Sequence, residues 1–244
     1  MAAIATADLL TAWERGSSQS GSRRLLTLLA AMYPEIPEQQ LLKLPIGQRD
    51  GLALELREIL FGSQLISLSV CPSCSERLEL ALDVADIKVA SNGSTETPLT
   101  LEAEGFELRF RLPDSQDLML IEAVSSIDAA RRILLQRCLL SASRNGQLCA
   151  LEQLPEQILD NVDAAMSAAD PQADVQLDLS CPACQHSWLA TFDIASFLWS
   201  EISAWAQRVL NEVHLLAKAY CWCEADILAM SPARRRFYLE RVLQ

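Results

Sequence analysis

Apolar residues recur along the chain with two different spacings, and the spacing predicts where helices and strands lie. Spacings of three and four residues favour helices through residues 1–63 and again after residue 193. The clearest helices cover residues 46–61, ended by Gly62, and residues 194–220. Alternation with period two predicts strands at 65–70, 78–83, 175–180 and 188–193. The pattern therefore predicts an α+β protein that is mostly helical.

Each of the two predicted strand pairs has a Cys-Pro-x-Cys turn between its strands. The first turn contains Cys71 and Cys74, and the second contains Cys181 and Cys184. A Cys-x-x-Cys turn places two thiolates on the same side of a tight loop, and two such turns supply the four soft ligands that tetrahedral Zn²⁺ prefers. The repeat therefore predicts a zinc ribbon with one structural Zn²⁺ held by these four cysteines.

The distance between the two turns along the chain is unusual for a zinc ribbon. Cys74 and Cys181 are separated by 106 residues, whereas a compact ribbon has roughly 15 to 20. The ribbon is therefore expected to be split by an inserted unit. Closing so long a loop costs on the order of a few kcal/mol, against about 10 to 16 kcal/mol available from structural zinc.

Other uses of these cysteines stay open at this stage. Cys-Pro-x-Cys also occurs in thioredoxin-like redox proteins, although the βαβ pattern that would support this interpretation is missing here. Disulfides would require an oxidising compartment, and the sequence opens without a signal peptide. His186, beside the second turn, is a candidate substitute for one cysteine ligand.

The pattern divides the chain into five regions. We predict an N-terminal helical region at 1–63, a first zinc-knuckle hairpin at 64–90, an inserted α+β unit at 91–173, a second zinc-knuckle hairpin at 174–193 and a C-terminal helical region at 194–244.

The insertion contains both strand and helix signals. Alternation on either side of Glu104-Gly105 predicts a β-hairpin, and Asn145-Gly146 predicts a turn. Helices are expected from Asp114 or Ser115 through residue 124, from residue 126 through residue 140, and over residues 155–169. The insertion is therefore expected to be a small α+β unit.

Composition limits the kinds of partner. The chain has 244 residues, of which 50% are hydrophobic, and a net charge of −12. This charge argues against nucleic acid as a partner, since the phosphates would repel it. Charged residues interrupt every apolar stretch before about 18 residues, so we expect no membrane span. We therefore expect a cytoplasmic location.

The C-terminal region contains the candidate partner-binding residues. Trp205 lies on the broad apolar stripe of the long helix, and Trp222 lies in an aromatic turn between Cys221 and Cys223. The run Arg234, Arg235 and Arg236 concentrates positive charge on an acidic protein. These arginines are expected either to bind an acidic partner surface or to pair with the protein's own acidic residues.

Several of these segments resemble a known family. The segment 211–240 contains Glu-x-His-x-Leu-Ala-x-x-Tyr, Glu-Ala-Asp-Ile-Leu-Ala, a Ser-Pro helix start and Arg-Arg-x-x-Tyr-Leu. Residues 44–50 read Leu-Pro-Ile-Gly-x-Arg-Asp, and residues 56–62 read Leu-Arg-x-x-x-Phe-Gly. Together with the Cys-Pro-x-Cys turns, these segments resemble the baseplate hub assembly chaperones of contractile-tailed phages and of phage-derived contractile injection systems. The resemblance covers both ends and the turns, but not the insertion.

The resemblance implies a non-enzymatic role in building the baseplate, with other baseplate or hub proteins as partners. It also implies that the protein can be incorporated into a phage-like particle. Relatives often carry glycine after each Cys-Pro-x-Cys turn, where this chain has Ser75 and Gln185. The residues themselves agree that the protein is not an enzyme, because no catalytic triad order, phosphate loop or His-Glu hydrolase helix is present and a four-cysteine site has no open coordination position. The alternative is a thiol-disulfide oxidoreductase using the cysteine pairs.

Overall fold

The computed structural model describes residues 5–89 and 98–242. It is α+β and mostly helical, as predicted. The described helices are α1 Thr6–Gly16, α2 Gly21–Met32, α3 Glu38–Lys43, α4 Ile46–Phe61, α5 Val84–Ile87, α6 Ser115–Ile121, α7 Ile127–Cys138, α8 Glu156–Ala169, α9 Ile194–Tyr220, α10 Glu224–Leu228 and α11 Pro232–Val242. The strands are β1 Gln64–Val70, β2 Arg77–Asp83, β3 Leu99–Ala103, β4 Phe106–Phe110, β5 Leu139–Arg144, β6 Gln147–Leu148, β7 Gln176–Ser180 and β8 Ser187–Thr191.

The chain divides into two compact units. One is formed by the two chain ends, Met1–Glu38 and Ala195–Gln244, and the other by Gln39–Ile194. The five regions predicted from the sequence subdivide the chain more finely, and that division stays a prediction.

The first unit is helical, and α9 supplies most of its core. The stripe predicted on this helix is buried between α1 and α10, which contribute Leu10 and Ile227 to the same apolar cluster. The α9 residues of the cluster are Ala206, Val209, Val213 and Leu216. Ser231 accepts a hydrogen bond from the Arg234 amide at 3.3 Å, and α11 therefore begins at Pro232 as the Ser-Pro pair predicts.

Within the second unit, the insertion forms a four-stranded sheet in the order β3-β4-β5-β6. Glu104-Gly105 joins β3 to β4, and Asn145-Gly146 joins β5 to β6, each with positive φ at both residues, as a two-residue hairpin requires. The predicted hairpin and turn are therefore confirmed. The inward side chains of β4 pack in one apolar cluster with Ile158 of α8.

Two helices of the insertion were predicted too long. The first, α6, ends at Ile121 and not at residue 124. The second is α7. The sequence pattern extends it through residue 140, whereas α7 ends at Cys138 and residues 139–144 form β5. β5 pairs with β4 in register from Phe106 opposite Arg144, with a shift between Arg109 and Phe110. The strand forms because it completes the sheet, although its own residues carry no clear alternation.

Polar side chains hold the two ends of the insertion together. Gln172, in a 3-10 turn at Pro171–Ala173, accepts a hydrogen bond from the Val89 amide at 2.6 Å and donates one to the Ile87 carbonyl at 3.4 Å. Gln172 is buried. Its two bonds join the chain leaving the first hairpin to the chain entering the second, so the long loop begins and ends at one place.

The N-terminus of α4 is tied to the same region. The Gly47 amide donates to Asp170 Oδ2 at 2.9 Å, and the Ile46 amide donates to the Pro113 carbonyl at 3.1 Å. Asp170 therefore accepts one of the amide hydrogens that the first turn of a helix leaves unpaired. This contact explains the glycine of the Leu-Pro-Ile-Gly segment, because a Cβ at Gly47 would lie 1.9 Å from Asp170 Oδ1.

We expect Gly47→Ala to lower the free energy of unfolding by about 1 to 3 kcal/mol, the usual cost of overpacking. Gly51 in the same helix is the matched control, because nothing lies within 4 Å of a Cβ built there. Gly51→Ala should instead raise the free energy of unfolding by about 0.5 to 1 kcal/mol, since alanine favours the helix interior. Denaturant unfolding of both variants measures the two effects. Equal effects of the two substitutions would contradict the contact with Asp170.

Candidate metal centre

The two cysteine turns have the same backbone structure. In the first, the Ser75 amide donates to the Cys71 carbonyl and the Cys71 amide donates to the Glu76 carbonyl, both at 2.9 Å. In the second, Gln185 and Cys181 make the equivalent two bonds, also at 2.9 Å. β1 pairs with β2 and β7 pairs with β8, so each turn closes an antiparallel hairpin. The internal repeat in the sequence is therefore a repeat in structure.

The two turns bring four sulfur atoms together. The Sγ atoms of Cys71, Cys74, Cys181 and Cys184 all lie within 4.8 Å of one another. Two distances cross between the hairpins: 3.7 Å from Cys71 to Cys184 and 3.6 Å from Cys74 to Cys181. A tetrahedral zinc with Zn–S bonds of about 2.3 Å places its sulfurs about 3.8 Å apart. The observed spacing fits a metal site and is much longer than a disulfide bond of about 2.05 Å.

The cluster combines buried and exposed thiols. Cys71 and Cys181 are each 1% exposed, whereas Cys74 and Cys184 lie at the surface. Burial raises the pKa of Cys71, but hydrogen bonds from the Cys74 and Ser73 amides and from neighbouring thiols lower it to about 7.

The pKa of Cys74 is shifted in the opposite direction. The Glu76 amide lowers it, but the Cys184 thiol, burial and the other two thiols together raise it to about 12. Four clustered sulfurs do not all ionise without a cation beside them. A divalent metal ion would replace their protons, since cysteine binds metals as thiolate.

The residue after each turn has a left-handed backbone. Ser75 has φ of 62° and Gln185 has φ of 61°, a conformation that glycine adopts without strain. We expect Ser75→Gly to raise the free energy of unfolding by about 0.5 to 1 kcal/mol, as measured by denaturant titration of the metal-loaded protein. A lower stability with unchanged metal content would contradict this expectation.

Comparison with known families identifies the chain's relatives. The family described as T4 bacteriophage base plate protein matches residues 6–199. The chain belongs to this family. The resemblance seen in the sequence is therefore confirmed at the level of a phage base plate protein. No curated protein and no solved structure matches the chain.

The family match changes one expectation about this base plate chain. The resemblance found in the sequence left out the insertion, whereas the matched residues run through it and include both cysteine turns. The segment 211–240, which contributed much of that resemblance, lies beyond the matched residues.

Within the part of the chain that the structure describes, no helix is both long enough and apolar enough to cross a membrane.

The candidate partner residues of this base plate chain differ in how far each is exposed. Trp205 and Trp222 are half-buried and pack against the apolar cluster of the helical unit, and Trp222 stacks on Tyr220 with ring centroids 4.6 Å apart. Arg235 is 2% exposed and pairs with Glu212 at 3.0 Å. Arg235 therefore pairs with an acidic residue of the protein itself, which is one of the two roles expected for the arginine run.

The other two arginines of the run are exposed. Arg234 and Arg236 flank Arg235 at the surface, and Arg234 lies 5.9 Å from the centre of the Tyr238 ring. Phe237 is also exposed, with the guanidinium of Arg241 5.3 Å from its ring centre. A partner of α11 would therefore contact Arg234, Arg236 and Phe237 before it reached Arg235. The partner-binding role of the five residues stays a prediction.

His186, the substitute ligand considered from the sequence, lies outside the four-sulfur cluster. Its carbonyl accepts a hydrogen bond from the Cys181 amide, and its ring stacks on Trp188 with centroids 6.0 Å apart.

Asp83 and Asp86, two acidic residues near the first hairpin, form a capping box at the start of α5. The Ala85 amide and the Ser63 hydroxyl hold the pKa of Asp83 below its usual value.

Proposed function

We propose that this base plate protein is a zinc-stabilised component or assembly factor of the base plate hub, in a phage tail or in a contractile injection system. The observation that carries the proposal is the gathering of four thiols from two turns 106 residues apart. Zinc is the metal proposed, because four thiolates at tetrahedral spacing suit it. Such a site has no open position for substrate, so its role is to fix the two hairpins relative to each other.

The partners are other base plate proteins, and the contacts are between protein surfaces. Family membership supports such partners and favours a structural role over an enzymatic one. The net charge of −12 would favour a neutral or basic partner over most of the surface. The exposed arginines of α11 form the exception and suit an acidic partner.

The first experiment is a quantitative blot of this chain across a sedimentation gradient of native lysate. Fixed stoichiometry in finished particles would identify a permanent subunit, since an assembly factor leaves before completion. Presence only in fractions of intermediate size would identify an assembly factor. A chain found wholly among small species would contradict both forms of the proposal.

A thiol-disulfide oxidoreductase is the second candidate, and the lowered pKa of Cys71 favours it. Its weakness is access, because the thiol with the lowered pKa is buried and the exposed Cys74 has a raised one. Counting zinc and free thiols in denatured protein separates the two candidates. One zinc per chain with eight reduced thiols supports the structural site, whereas a metal-free protein with a reversible disulfide supports the enzyme.

A further inference from the structure

The outward side of β1 is an exposed apolar row. Ile66, Leu68 and Val70 are 63%, 73% and 56% exposed, although all three are aliphatic. They alternate along one strand and therefore point to the same side of the hairpin. Together they expose a few hundred Å² of apolar surface, roughly the size at which such patches mark interaction sites.

The second hairpin shows that the metal site does not require this row. Counting back from the first cysteine of each turn, Val70, Leu68 and Ile66 correspond to Ser180, Asp178 and Gln176. These three polar residues are also exposed, in a hairpin with the same turn geometry. The same fold is thus built once with an apolar outward row and once with a polar one, so the apolar row serves something other than the hairpin itself.

The edge of β1 is also open. Among the described residues, β1 pairs with β2 alone, and its seven residues include no proline, lysine or irregular pairing. Those are the usual features that protect a strand edge from pairing with another chain. In β7 the central outward residue is Asp178, a charge of the kind that protects an edge. The open edge and the apolar row therefore occur on the same strand.

A second copy of this chain fits this surface poorly. Stable interfaces bury about 800 Å² on each partner, more than three aliphatic side chains provide. Each copy carries a net charge of −12, and Glu76 and Glu79 are exposed close to the row, with Arg77 as the nearby cation. Two such surfaces would repel each other, whereas a basic segment would be attracted and a neutral one would not be repelled.

We infer that β1 is the docking edge for an extended, neutral or basic segment of a different base plate protein, which adds to the hairpin as a third strand. The segment pairs its main chain with the open edge and packs alternate apolar side chains on Ile66, Leu68 and Val70. This inference rests on the proposed function, because the partner is taken to be another protein of the particle.

The first test places a photo-crosslinking amino acid at position 68, or at position 178 as the matched control, in the otherwise unchanged chain. The labelled chain is added to the other base plate proteins of the particle, purified one at a time. We expect position 68 to cross-link to one of them within an extended segment, with a yield at least about tenfold above position 178. The chain labelled at position 178 keeps the apolar row of β1 and binds equally well, so the difference in yield reports which of the two positions lies against the partner.

The second test copies the outward row of β7 onto β1 with Ile66→Gln, Leu68→Asp and Val70→Ser. Leu189→Gln is the control, since Leu189 is an exposed apolar residue of the other hairpin. The triple variant should keep its zinc and its Tm but co-sediment with base plates at least about tenfold less, and the control should behave as wild type. Protection of alternate β1 amides from hydrogen exchange in the wild-type complex would show strand addition.

The failures of the two proposals are distinguishable. If the wild-type chain is found neither in base plates nor in assembly intermediates, the proposed function fails and the inference fails with it. If the wild-type chain enters base plates and the triple variant does so equally well, only the inference fails. Cross-links from position 68 to a second copy of this chain also overturn it. Should the triple variant lose zinc, the cross-linking result decides.

Discussion

Replacing Cys181 with serine is expected to abolish stoichiometric zinc binding and to lower the Tm by more than about 10 °C. The sulfur of Cys181 lies 3.6 Å from that of Cys74 and is buried within the cluster. A serine hydroxyl is a hard, protonated donor and cannot replace a thiolate ligand of zinc. Structural zinc contributes about 10 to 16 kcal/mol to the free energy of folding. In a protein of this size, a loss of 1 kcal/mol lowers the Tm by about 2 to 4 °C.

Cys221→Ser is the matched control, because Cys221 is an exposed free thiol outside the four-sulfur cluster. It should retain one zinc per chain and lose almost no stability. Zinc is counted with a chromogenic chelator after denaturation, and the Tm is followed by circular dichroism. A strong chelator added to the wild-type protein should reproduce the loss seen in Cys181→Ser. Equal Tm values for the wild type, the two variants and the chelated protein would exclude a stabilising metal.

The elements that could be predicted from the sequence are those whose signal is local. α9 follows the three- and four-residue spacing of its apolar residues, and α4 is bounded by Pro45 and Gly62. The two hairpins follow from alternation on either side of a Cys-x-x-Cys turn, whose cysteine spacing is typical of metal-binding turns. Four cysteines in two equivalent turns therefore predict one cluster even though 106 residues separate them.

The elements that could not be predicted depend on distant partners. β5 has short polar side chains in its middle, and its Leu139 and Leu140 continue the apolar pattern of the preceding helix. The pairing with β4 that makes it a strand is invisible in its own residues. The Asn145-Gly146 pair did indicate a strand before it, since such a pair usually joins the two strands of a hairpin.

The closure of the split ribbon was also invisible in the sequence. Gln172 joins the two ends of the insertion by a hydrogen bond to the Val89 backbone, 83 residues away, and Asp170 ties its C-terminal end to the Gly47 backbone, 123 residues away. Such bonds use side chains that are common at any protein surface, so residue type alone gives no indication. The cysteine repeat predicts that the halves meet, but only the structure identifies the polar contacts that hold the connecting chain in place.

Asp117→Asn is expected to lower the free energy of unfolding by about 3 kcal/mol without loss of zinc, because it breaks a buried ion pair far along the chain from the cysteines. Asp117 is fully buried. Its carboxylate accepts two bonds from Arg111, at 2.6 and 3.0 Å, and one from Arg137 at 2.5 Å. It also accepts the Asp114 amide at 3.0 Å. An amide would present a donor to two guanidinium groups and remove the carboxylate that they share, although Arg111 would keep Asp114 at 3.5 Å.

The pH dependence gives a second measure of the same contact. Burial would raise the pKa of Asp117, but the bonds from Arg111, the Asp114 amide and Arg137 lower it to about 2. A lowered pKa means that the contribution is complete above the ordinary carboxyl pKa of about 3.9 and is lost as the pH falls toward about 2. The Asn variant should lack this part of the loss of stability at low pH. Its free energy of unfolding should therefore fall less steeply than that of the wild type between these pH values.

Glu55→Gln provides the control for Asp117→Asn. Glu55 pairs with Lys88 at 2.8 Å, but both side chains are more than 40% exposed, so the substitution should cost about 0 to 1 kcal/mol. Measuring both zinc content and stability then separates two contributions to the stability of the unit formed by Gln39–Ile194, that of the cysteine cluster and that of the Asp117 ion pairs. Cys181→Ser should lose metal and stability together. Asp117→Asn should lose stability alone, since the Asp117 contacts join α6, α7 and the residue after β4 within the insertion. Loss of zinc in Asp117→Asn would show instead that the insertion and the cysteine cluster unfold as one unit.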